Sequence, residues 1–451
     1  WTADCAVTHS DPAVTQRRAR VMTHVAIVGA GYAGMAAAVT LAQHGVPVTV
    51  FEAAQTLGGR ARRVEYRDVA LDNGLHILIG AYTESLRLIE LVNPAYRQAL
   101  LRLPLEWKIE NEFDLRVPRL PAPLHLLIGL ARAHGLDAGE KLSIIRFLSA
   151  LRVARFTLDG DDTVETLLAR HGQSEKVRRV LWRPLCVAAL NTPAPVASAQ
   201  IFANVLRDTL NGARAASDLI IARIDLSALF PEPAANFIEN RDGKVLRGRR
   251  VLAIDQVEGA FEIVTASGRE RFSDVICAVS PHQVNGLTAG LTAMTPLTPL
   301  IDALQFQPIH SVWLQYPGEV TLPAPMLGLT GGLIHWVFDR NALCAQRGLI
   351  GAVISAEGEH QALTQEALGI AVHRELRSHI GALPDPQWTR VIAEKRATFS
   401  CTPDIQRPSQ RTPLAGLHLA GDYTASDYPA TIEAAVRSGI ACAGNILSRA
   451  A

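Results

Sequence analysis

The chain has 451 residues, a length that suggests two or three domains rather than one. Its 44 Lys and Arg residues nearly balance 43 Asp and Glu residues, so the net charge is +1, which argues against a general nucleic-acid binder. Charged residues make up only 19% of the chain and apolar residues 48%, which excludes a disordered protein.

The cysteines and the N-terminal stretch indicate the expected location of the protein. Six cysteines are scattered without a CxxC pair, so we expect reduced thiols in a cytoplasmic protein, with neither a disulfide framework nor a metal site. The sequence has no apolar run long enough for a transmembrane helix. Residues 1–21 lack the apolar core of a secretory signal, and we expect a disordered tail with the natural start at Met22.

A βαβ unit is predicted directly after that tail. Residues 24–28 form a short, β-branched apolar run, which is typical of a buried strand. The Ala-rich stretch that ends at Gln43 is typical of a helix, and a second strand is predicted over 46–51.

A GxGxxG turn joins this first strand to the helix. Gly29 allows the tight turn, Gly31 lets a pyrophosphate approach the backbone, and Gly34 permits close packing of the helix on the strand. The N–H groups of Tyr32 and Ala33 then lie at the positive end of the helix, where phosphate binds. The sequence therefore predicts a dinucleotide site at this turn.

The rest of the chain predicts a helical middle followed by strands and two further helices. Helices are predicted over 124–133 and 141–156, within a Leu-, Ala- and Arg-rich stretch that extends over 81–230. Later elements have these predicted bounds: strands 251–254, 261–265, 275–278, 310–316, 333–338 and 417–420, and helices 359–380 and 430–448.

Glu52 disfavours NADP, and two further elements favour FAD over NAD as the dinucleotide. Glu52 closes the second strand, where it can accept hydrogen bonds from ribose hydroxyls and would repel a 2′-phosphate. A second glycine pair and an arginine follow at Gly58, Gly59 and Arg60, beside the expected diphosphate. At the other end of the chain, Gly421 and Asp422 follow a predicted strand. Asp422 can bind a ribityl hydroxyl, and the last helix can stabilise negative charge on a reduced flavin.

The predicted fold class is α/β, with a discontinuous Rossmann-like FAD-binding domain and a mixed α+β substrate domain. We assign residues 22–80, 236–285 and 396–451 to the FAD-binding domain. The substrate domain then takes 81–235, its helical part, and 286–395. The remaining predicted FAD contacts are Val251, Thr431 and Ile432.

Several motifs resemble the flavin amine oxidase and phytoene desaturase superfamily: GAGYAGMAAA at 29–38, Glu52, LGGR at 57–60, and LHLAGDYTASDYPATIEAAVRSG at 417–439. Other segments resemble the narrower hydroxysqualene dehydroxylase family, whose members are also called squalene-associated FAD-dependent desaturases. Those segments are LDNGLHILIGAY at 71–82, RPL at 183–185, ALN at 189–191, EKRATF at 394–399 and YPATIE at 428–433. The family commonly has Gln where this chain has Leu75.

The resemblance implies a bacterial FAD-dependent oxidoreductase of squalene and hopanoid biosynthesis. Its implied reaction removes the hydroxyl of hydroxysqualene as water, with reduced FAD as the hydride donor, to give squalene. Two alternatives stay open: a phytoene-type polyene desaturase, in which hydride moves in the opposite direction, and a flavin amine oxidase. The low aromatic content of 6% gives little support to the aromatic cage of an amine oxidase.

Dehydroxylation needs a general acid and a dry, apolar pocket. Asp72 and His76 are catalytic candidates because their segment follows the GGR loop and can pass near the flavin. The alternative is that Asp72 shapes a turn while His76 caps a backbone group. Lys395 is the third candidate, and its alternative is to neutralise a carboxylate.

Four more residues have expected places around the substrate. Asp427 and Tyr428 are expected to border the flavin ring, and His335 and Trp336 either line the pocket or pack in the core. Glu433 is expected only to favour the helix dipole.

The expected partner is hydroxysqualene or another long isoprenoid, with no nucleic acid. The stretch 124–156 combines leucines with five basic residues, and it forms either a surface that docks on anionic lipid or a solvated helix face. We therefore expect a cytoplasmic protein, with peripheral contact to the inner membrane as an option.

Overall fold

The computed structural model describes residues 23–450 except 211 and 319. The predicted tail over 1–21 and the start at Met22 lie outside these described residues, as does Cys5. The other five cysteines carry free thiols: Cys186, Cys277, Cys344, Cys401 and Cys442. None of the described helices is long and apolar enough to cross a membrane.

The strands are, in chain order, β1 (Val25–Val28), β2 (Val48–Phe51), β3 (Arg63–Tyr66), β4 (Val69–Asp72), β5 (Ile77–Ile79), β6 (Leu100–Leu103), β7 (Glu106–Ile109), β8 (Phe113–Arg116), β9 (Leu219–Ala222), β10 (Lys244–Leu246), β11 (Val251–Val257), β12 (Ala260–Thr265), β13 (Gly268–Phe272), β14 (Asp274–Cys277), β15 (Phe306–Gln315), β16 (Met326–Gly328), β17 (Trp336–Asp339), β18 (Leu349–Ser355), β19 (Trp388–Phe399) and β20 (Leu417–Leu419).

The α-helices are α1 (Tyr32–Gln43), α2 (Thr83–Val92), α3 (Tyr96–Ala99), α4 (Leu124–Arg132), α5 (Ala138–Val153), α6 (Val164–Arg170), α7 (Glu175–Val177), α8 (Arg183–Leu190), α9 (Ala199–Leu210), α10 (Leu226–Leu229), α11 (Pro231–Glu239), α12 (Pro281–Leu287), α13 (Thr298–Asp302), α14 (Arg340–Cys344), α15 (Gln365–Ile380) and α16 (Ile432–Ala450). A π-helical turn, Arg178–Trp182, joins α7 to α8.

A parallel sheet has the strand order β10-β2-β1-β14-β20 in the described residues. Every residue of β1, β2, β14 and β20 is buried, because helices cover one face of the sheet and the antiparallel sheet β11-β12-β13 covers the other. Helix α1 packs against α16 and α11 beside this sheet. The sheet therefore takes its strands from three widely separated stretches of chain, and the proposed domain bounds stay a prediction.

A larger sheet of mostly antiparallel strands has the order β19-β15-β18-β17-β16-β7-β8 in the described part of the chain. Side chains of the helical middle, such as Phe147 and Trp182, share one hydrophobic core with Trp107 and Trp336 of this sheet. Helix α15 packs through Leu368 and its neighbours in another core, which includes residues of β15 and β18.

Three helices begin at residues other than the predicted ones, because capping side chains set their N-termini. The predicted helix over 359–380 divides into a 3₁₀ turn, Glu359–Ala362, and α15, since the Thr364 hydroxyl accepts from Ala367 N at 3.1 Å. Helix α5 begins at Ala138 because Asp137 and Glu140 form a capping box. Helix α16 begins at Ile432, after Thr431 accepts from Ala434 N.

The strand predicted over 333–338 begins only at Trp336. The N–H groups of Leu333 and Ile334 donate to the Glu375 carboxylate of α15 instead of to a neighbouring strand. The hairpin β3–β4 and the long strand β19 were not predicted from the sequence.

Candidate active site

The glycine turn after β1 leaves no room for side chains at two positions. Gly29 has φ +106°, and a Cβ there would lie 2.6 Å from Ala278 O. A Cβ on Gly34 would lie 2.0 Å from Gly29 O, so α1 can start this close to the strand only with glycine. The predicted turn and helix packing are therefore present.

The two glycine loops meet at the start of α1. Gly31 forms a bridge with Gly58, and Gly58 N donates to Ala30 O at 3.0 Å. Gly59 also faces Gly31, because a Cβ on it would lie 3.2 Å from Gly31 Cα. Within the described residues, α1 has neither a side-chain cap nor an acidic first turn, so its first N–H groups suit a diphosphate.

Glu52 lies at the end of β2, where its carboxylate accepts from two backbone groups. Oε2 accepts from Ala30 N and Oε1 from Ala54 N, both at 2.8 Å. Each oxygen has a second lone pair, so the carboxylate can also accept from ribose hydroxyls. Val251 starts β11, two residues after Arg249, whose N–H donates to Glu52 O at 2.7 Å. These contacts bring the two predicted residues to one end of the sheet.

Arg60 and Asp422 form an ion pair across 362 residues of sequence. Arg60 Nη2 lies 2.5 Å from Asp422 Oδ1, and Nη1 donates to Ala397 O. Asp422 is buried, and Gly421 N donates to Ser438 Oγ at 2.8 Å. Together with the open helix N-terminus and Glu52, this donor and acceptor set fits FAD.

The described residues enclose a cavity of about 450 Å³. That volume lies in the range of small-molecule sites. Most of its lining side chains are apolar, and they come from the segment 74–82, from α4, α5, α8 and α9, from one side of the larger sheet and from residues 427–431. The cavity therefore connects the residues after the GGR loop with the start of the last helix.

His76 lies in the cavity wall, as expected of a catalytic candidate. Its Nδ1 lies 2.9 Å from Gly74 O, so Nδ1 carries the proton and Nε2 is an acceptor. Burial lowers the pKa of His76, and the hydrogen bond to Gly74 opposes that shift. The imidazole is therefore neutral at neutral pH, and it also caps a backbone group.

Asp72 lies beside a second, small cavity of about 10 Å³ that adjoins the large one. His76 lines both cavities, and Arg340 also lines the small one. Asp72 is 6% exposed, and its Oδ1 accepts from Leu226 N at 2.8 Å. Burial raises the pKa of Asp72 to about 7, against the opposing effects of Leu226 N and Arg340. A carboxyl that still holds its proton near neutral pH thus lies next to His76.

Lys395 does not join these two residues. It is an exposed residue of β19 and is absent from the lining of the described cavities. The pairing of β19 with β15 is irregular here, where Pro308 has no N–H to donate to the residues between Glu394 and Thr398. The structure therefore separates Lys395 from the other two catalytic candidates.

The last predicted residues divide between the cavity and its surroundings. Asp427, Tyr428 and Trp336 line the cavity, whereas the Nδ1 of His335 accepts from Ser355 N. Glu433 has a larger role than expected, because its fully buried carboxylate accepts from Glu84 N and Ser85 N and pairs with Arg437, so that it caps α2. Thr431 also lines the cavity, and Ile432 follows it as the first residue of α16.

Sequence reasoning missed the polar side chains that α9 brings to the cavity. Asn204 and Asp208 line it, and Asn204 Nδ2 donates to Asp427 O at 3.1 Å. Tyr82 also lines the cavity, and burial raises its pKa above the ordinary value. Only helical periodicity could have placed Asn204 and Asp208 on one face, and periodicity does not say what that face contacts.

Three comparisons with known proteins agree with this geometry. Residues 32–447 match the family model of flavin-containing amine oxidoreductases. The chain is 29% identical to a hydroxysqualene dehydroxylase of Sinorhizobium fredii and 30% identical to one of Rhodopseudomonas palustris, each over 94% of this chain and 98% of the relative. A solved oxidoreductase from Methanosarcina mazei shares the fold, with a TM-score of 0.72 at 15% identity over 93% of this chain and 99% of that one.

Proposed function

The chain belongs to the flavin-containing amine oxidoreductases and, within them, to the hydroxysqualene dehydroxylases, and on that premise we propose that it reduces hydroxysqualene to squalene in squalene and hopanoid biosynthesis. The observation that carries the proposal is the mostly apolar cavity of about 450 Å³ whose lining includes His76. A long hydrocarbon with one hydroxyl matches apolar walls with few polar groups.

FAD is the cofactor, and in its reduced form it supplies a hydride. We assign its diphosphate to the two glycine loops and its ribose to Glu52, by the contacts described above. The full set of residues proposed to hold it is Gly29, Gly31, Tyr32, Ala33, Gly34, Glu52, Gly58, Gly59, Arg60, Val251, Gly421, Asp422, Thr431 and Ile432.

The cavity walls have two functions in this proposal. Residues such as Leu130, Ile144 and Trp336 hold the isoprenoid chain by apolar contact. They also exclude water, which would otherwise capture the carbocation left when the hydroxyl departs. Loss of the hydroxyl breaks the C–O bond with both electrons on oxygen, so that oxygen must take up a proton to leave as water.

We assign that proton to Asp72 and His76. The small cavity between them has about the volume that one water molecule needs. Asp72 holds a proton near neutral pH, because burial raises its pKa to about 7. The water can pass that proton to the hydroxyl, and His76, whose Nδ1 stays bonded to Gly74 O, orients the hydroxyl through Nε2.

Product analysis tests the proposal against its two alternatives. Reduced holoenzyme incubated with hydroxysqualene without oxygen should give squalene by mass spectrometry, and absence of squalene would overturn the assignment. Desaturation of phytoene by the oxidised holoenzyme would favour a polyene desaturase instead. Oxidation of a primary or secondary amine would favour an amine oxidase.

We also propose that α4 and α5 contact an anionic membrane surface. Large apolar side chains are exposed here: Leu124 by 51%, Leu127 by 42%, Leu142 by 43% and Val153 by 86%. Leu127 also lines the cavity, so apolar surface continues from the outside into the substrate site. Basic side chains suited to anionic headgroups lie on the same stretch: Arg132, Lys141, Arg146, Arg152 and Arg155.

Liposome co-sedimentation tests this contact. Holoenzyme should sediment with vesicles that contain phosphatidylglycerol, and replacing Arg146, Arg152 and Arg155 with Ala should reduce the bound fraction. Replacing Arg269 and Arg271, two basic residues of β13, is the matched control. Equal binding of the triple variant and the wild type would exclude this surface.

A further inference from the structure

Arg340 begins α14 and lies beside β4, the strand that ends in Asp72. The residue is 6% exposed, and its Nε donates to Gln346 Oε1 at 2.9 Å. Gln346 in turn donates to Ala70 O of β4 at 3.0 Å. The guanidinium carbon of Arg340 lies 5.6 Å from the centre of the Trp313 ring, which is a cation–π distance. These contacts fix the guanidinium relative to β4 and its last residue.

The guanidinium of Arg340 differs from most buried charges in having no carboxylate partner within the described residues. No carboxylate oxygen of the described part of the chain lies within 4.0 Å of an Arg340 nitrogen. Buried charges are usually paired, because an isolated charge loses its hydration without compensation. A buried guanidinium in this position is therefore suited to a carboxylate that forms only during the reaction.

The small cavity of about 10 Å³ brings Arg340 together with Asp72. Both residues line it, and it has about the volume that one water molecule needs. A water in this cavity can accept from the guanidinium and donate to the Asp72 carboxylate, so that one molecule bridges the two groups. The other lining side chains are apolar except for His76.

The other titratable groups that face Asp72 in the described residues are neutral or anionic. Three are neutral at neutral pH, because burial raises the pKa of Tyr32 and Cys344 and lowers that of His76. The Asp225 carboxylate disfavours ionisation of Asp72. Apart from the hydrogen bond from Leu226 N, Arg340 is the group that favours the carboxylate form of Asp72.

We propose that Arg340 is a positioning residue that stabilises the Asp72 carboxylate, through the water of the small cavity, once the acid has given up its proton. This inference rests on the function proposed above. The O–H bond of Asp72 breaks with its electrons on the carboxylate, the water relays the proton, and the alcohol oxygen leaves as water with the C–O electrons. The carboxylate and Arg340 then form a buried ion pair bridged by one water, until a proton from solvent restores the neutral acid.

The pH dependence of an anaerobic single turnover tests this role. Arg340→Gln removes the cation, so Asp72 becomes a weaker acid and holds its proton to higher pH. The rate should fall about 3- to 10-fold at pH 6, and the pH at which it declines should rise by about one unit. Arg340→Lys keeps the charge and should retain the wild-type pH dependence. Arg271→Gln, on the exposed side of β13, is the control and should change neither value.

Infrared spectra of the oxidised holoenzyme provide a test without turnover. The carbonyl band of a protonated carboxyl that Asp72→Asn removes reports the protonation of Asp72. In the wild type this band should disappear with a midpoint near pH 7, the pKa to which burial raises Asp72. The midpoint should rise by about one unit in Arg340→Gln and in Arg340→Met, a second uncharged variant that keeps an apolar stem against Trp313.

An equal midpoint in the wild type and the uncharged variants would overturn the proposal, as would a slower turnover in Arg340→Gln with the pH dependence of the wild type. Failure of the proposed function has a different result: no squalene is formed, although the infrared midpoint still depends on Arg340. Squalene formation together with an unchanged midpoint in Arg340→Gln would overturn the role of Arg340 alone.

Discussion

The diphosphate end of the nucleotide site and the substrate cavity differ in how far apart in the chain their contacting residues lie. Gly34 lies against Gly29, and Glu52 accepts from Ala30 N, so both contacts form within one βαβ unit and largely through backbone atoms. The cavity instead brings His76 together with Trp336 and Ser355, more than 200 residues later. A short motif can therefore specify the diphosphate end, whereas tertiary packing alone assembles the cavity.

The largest expected effect tests the claim that the nucleotide site depends on backbone approach. Gly34→Ala should abolish FAD binding and reduce the yield of folded protein, because its Cβ would lie 2.0 Å from Gly29 O. FAD content of the purified protein measures this. Gly444→Ala in α16 is the matched control, since a Cβ there meets nothing within 4 Å and should leave FAD content unchanged. Normal FAD content in Gly34→Ala would contradict the comparison.

The stability of the protein is expected to depend on pH through Asp72, which lies beside the small cavity. The pKa of Asp72 is about 7 in the folded protein, above its ordinary value, so the folded state binds the proton more tightly than the unfolded state. The contribution of Asp72 to stability is therefore most favourable at acid pH and falls as the pH rises toward 7. Asp72→Asn, which keeps an acceptor for Leu226 N, should remove this dependence and stabilise the protein at pH 8 by up to about 4 kcal/mol.

Chemical unfolding of the holoenzyme between pH 5 and pH 8 measures that difference. The advantage of Asp72→Asn should be smallest at pH 5, at roughly 2 kcal/mol, and grow with pH. Asp137→Asn, at the exposed capping box of α5, is the control, because its partner Glu140 N lies at the surface. A constant difference across the pH range would mean that Asp72 has no raised pKa.

A variant that fills the cavity should weaken substrate binding and leave cofactor binding unchanged. Ala189→Phe adds a ring to the cavity wall, and we expect hydroxysqualene to bind about 10-fold more weakly or worse, with normal FAD content. The matched control is Ala169→Phe, an exposed position of α6 outside the cavity lining. A loss of FAD together with substrate binding would show that the two regions are not independent.

The smallest expected effect concerns one side chain of the nucleotide site. Glu52→Ala removes the proposed ribose contact but keeps the glycine turn, so we expect the Kd for FAD to rise about 10-fold. Titration of the apoprotein with FAD measures this. Glu52→Gln keeps an acceptor, so its Kd for FAD should lie between the values of the wild type and Glu52→Ala. An unchanged Kd in Glu52→Ala would exclude the ribose contact.

Sequence patterns predict the local features of the molecule but not the contacts between distant segments. The βαβ unit, the glycine turn and the strand before Asp422 follow from periodicity and turn residues. The break before α15 could also have been predicted, because Thr364 is a good helix cap. Asn204 and Asp208 give no such signal, since helical periodicity does not show that their face of α9 borders the cavity.

Lys395 and His76 show the same limit of prediction from sequence motifs. Both were catalytic candidates because of neighbouring motifs, yet only His76 reaches the cavity. The irregular pairing around Pro308 decides the place of Lys395, and that pairing depends on which strand lies beside β19.

Anaerobic single turnover tests the central claim most directly. Holoenzyme with reduced FAD is mixed with hydroxysqualene, and flavin oxidation and squalene formation are followed together. The proposed function predicts that squalene appears at the same rate as oxidised FAD and in equal amount. Flavin that stays reduced while hydroxysqualene is recovered unchanged would contradict it.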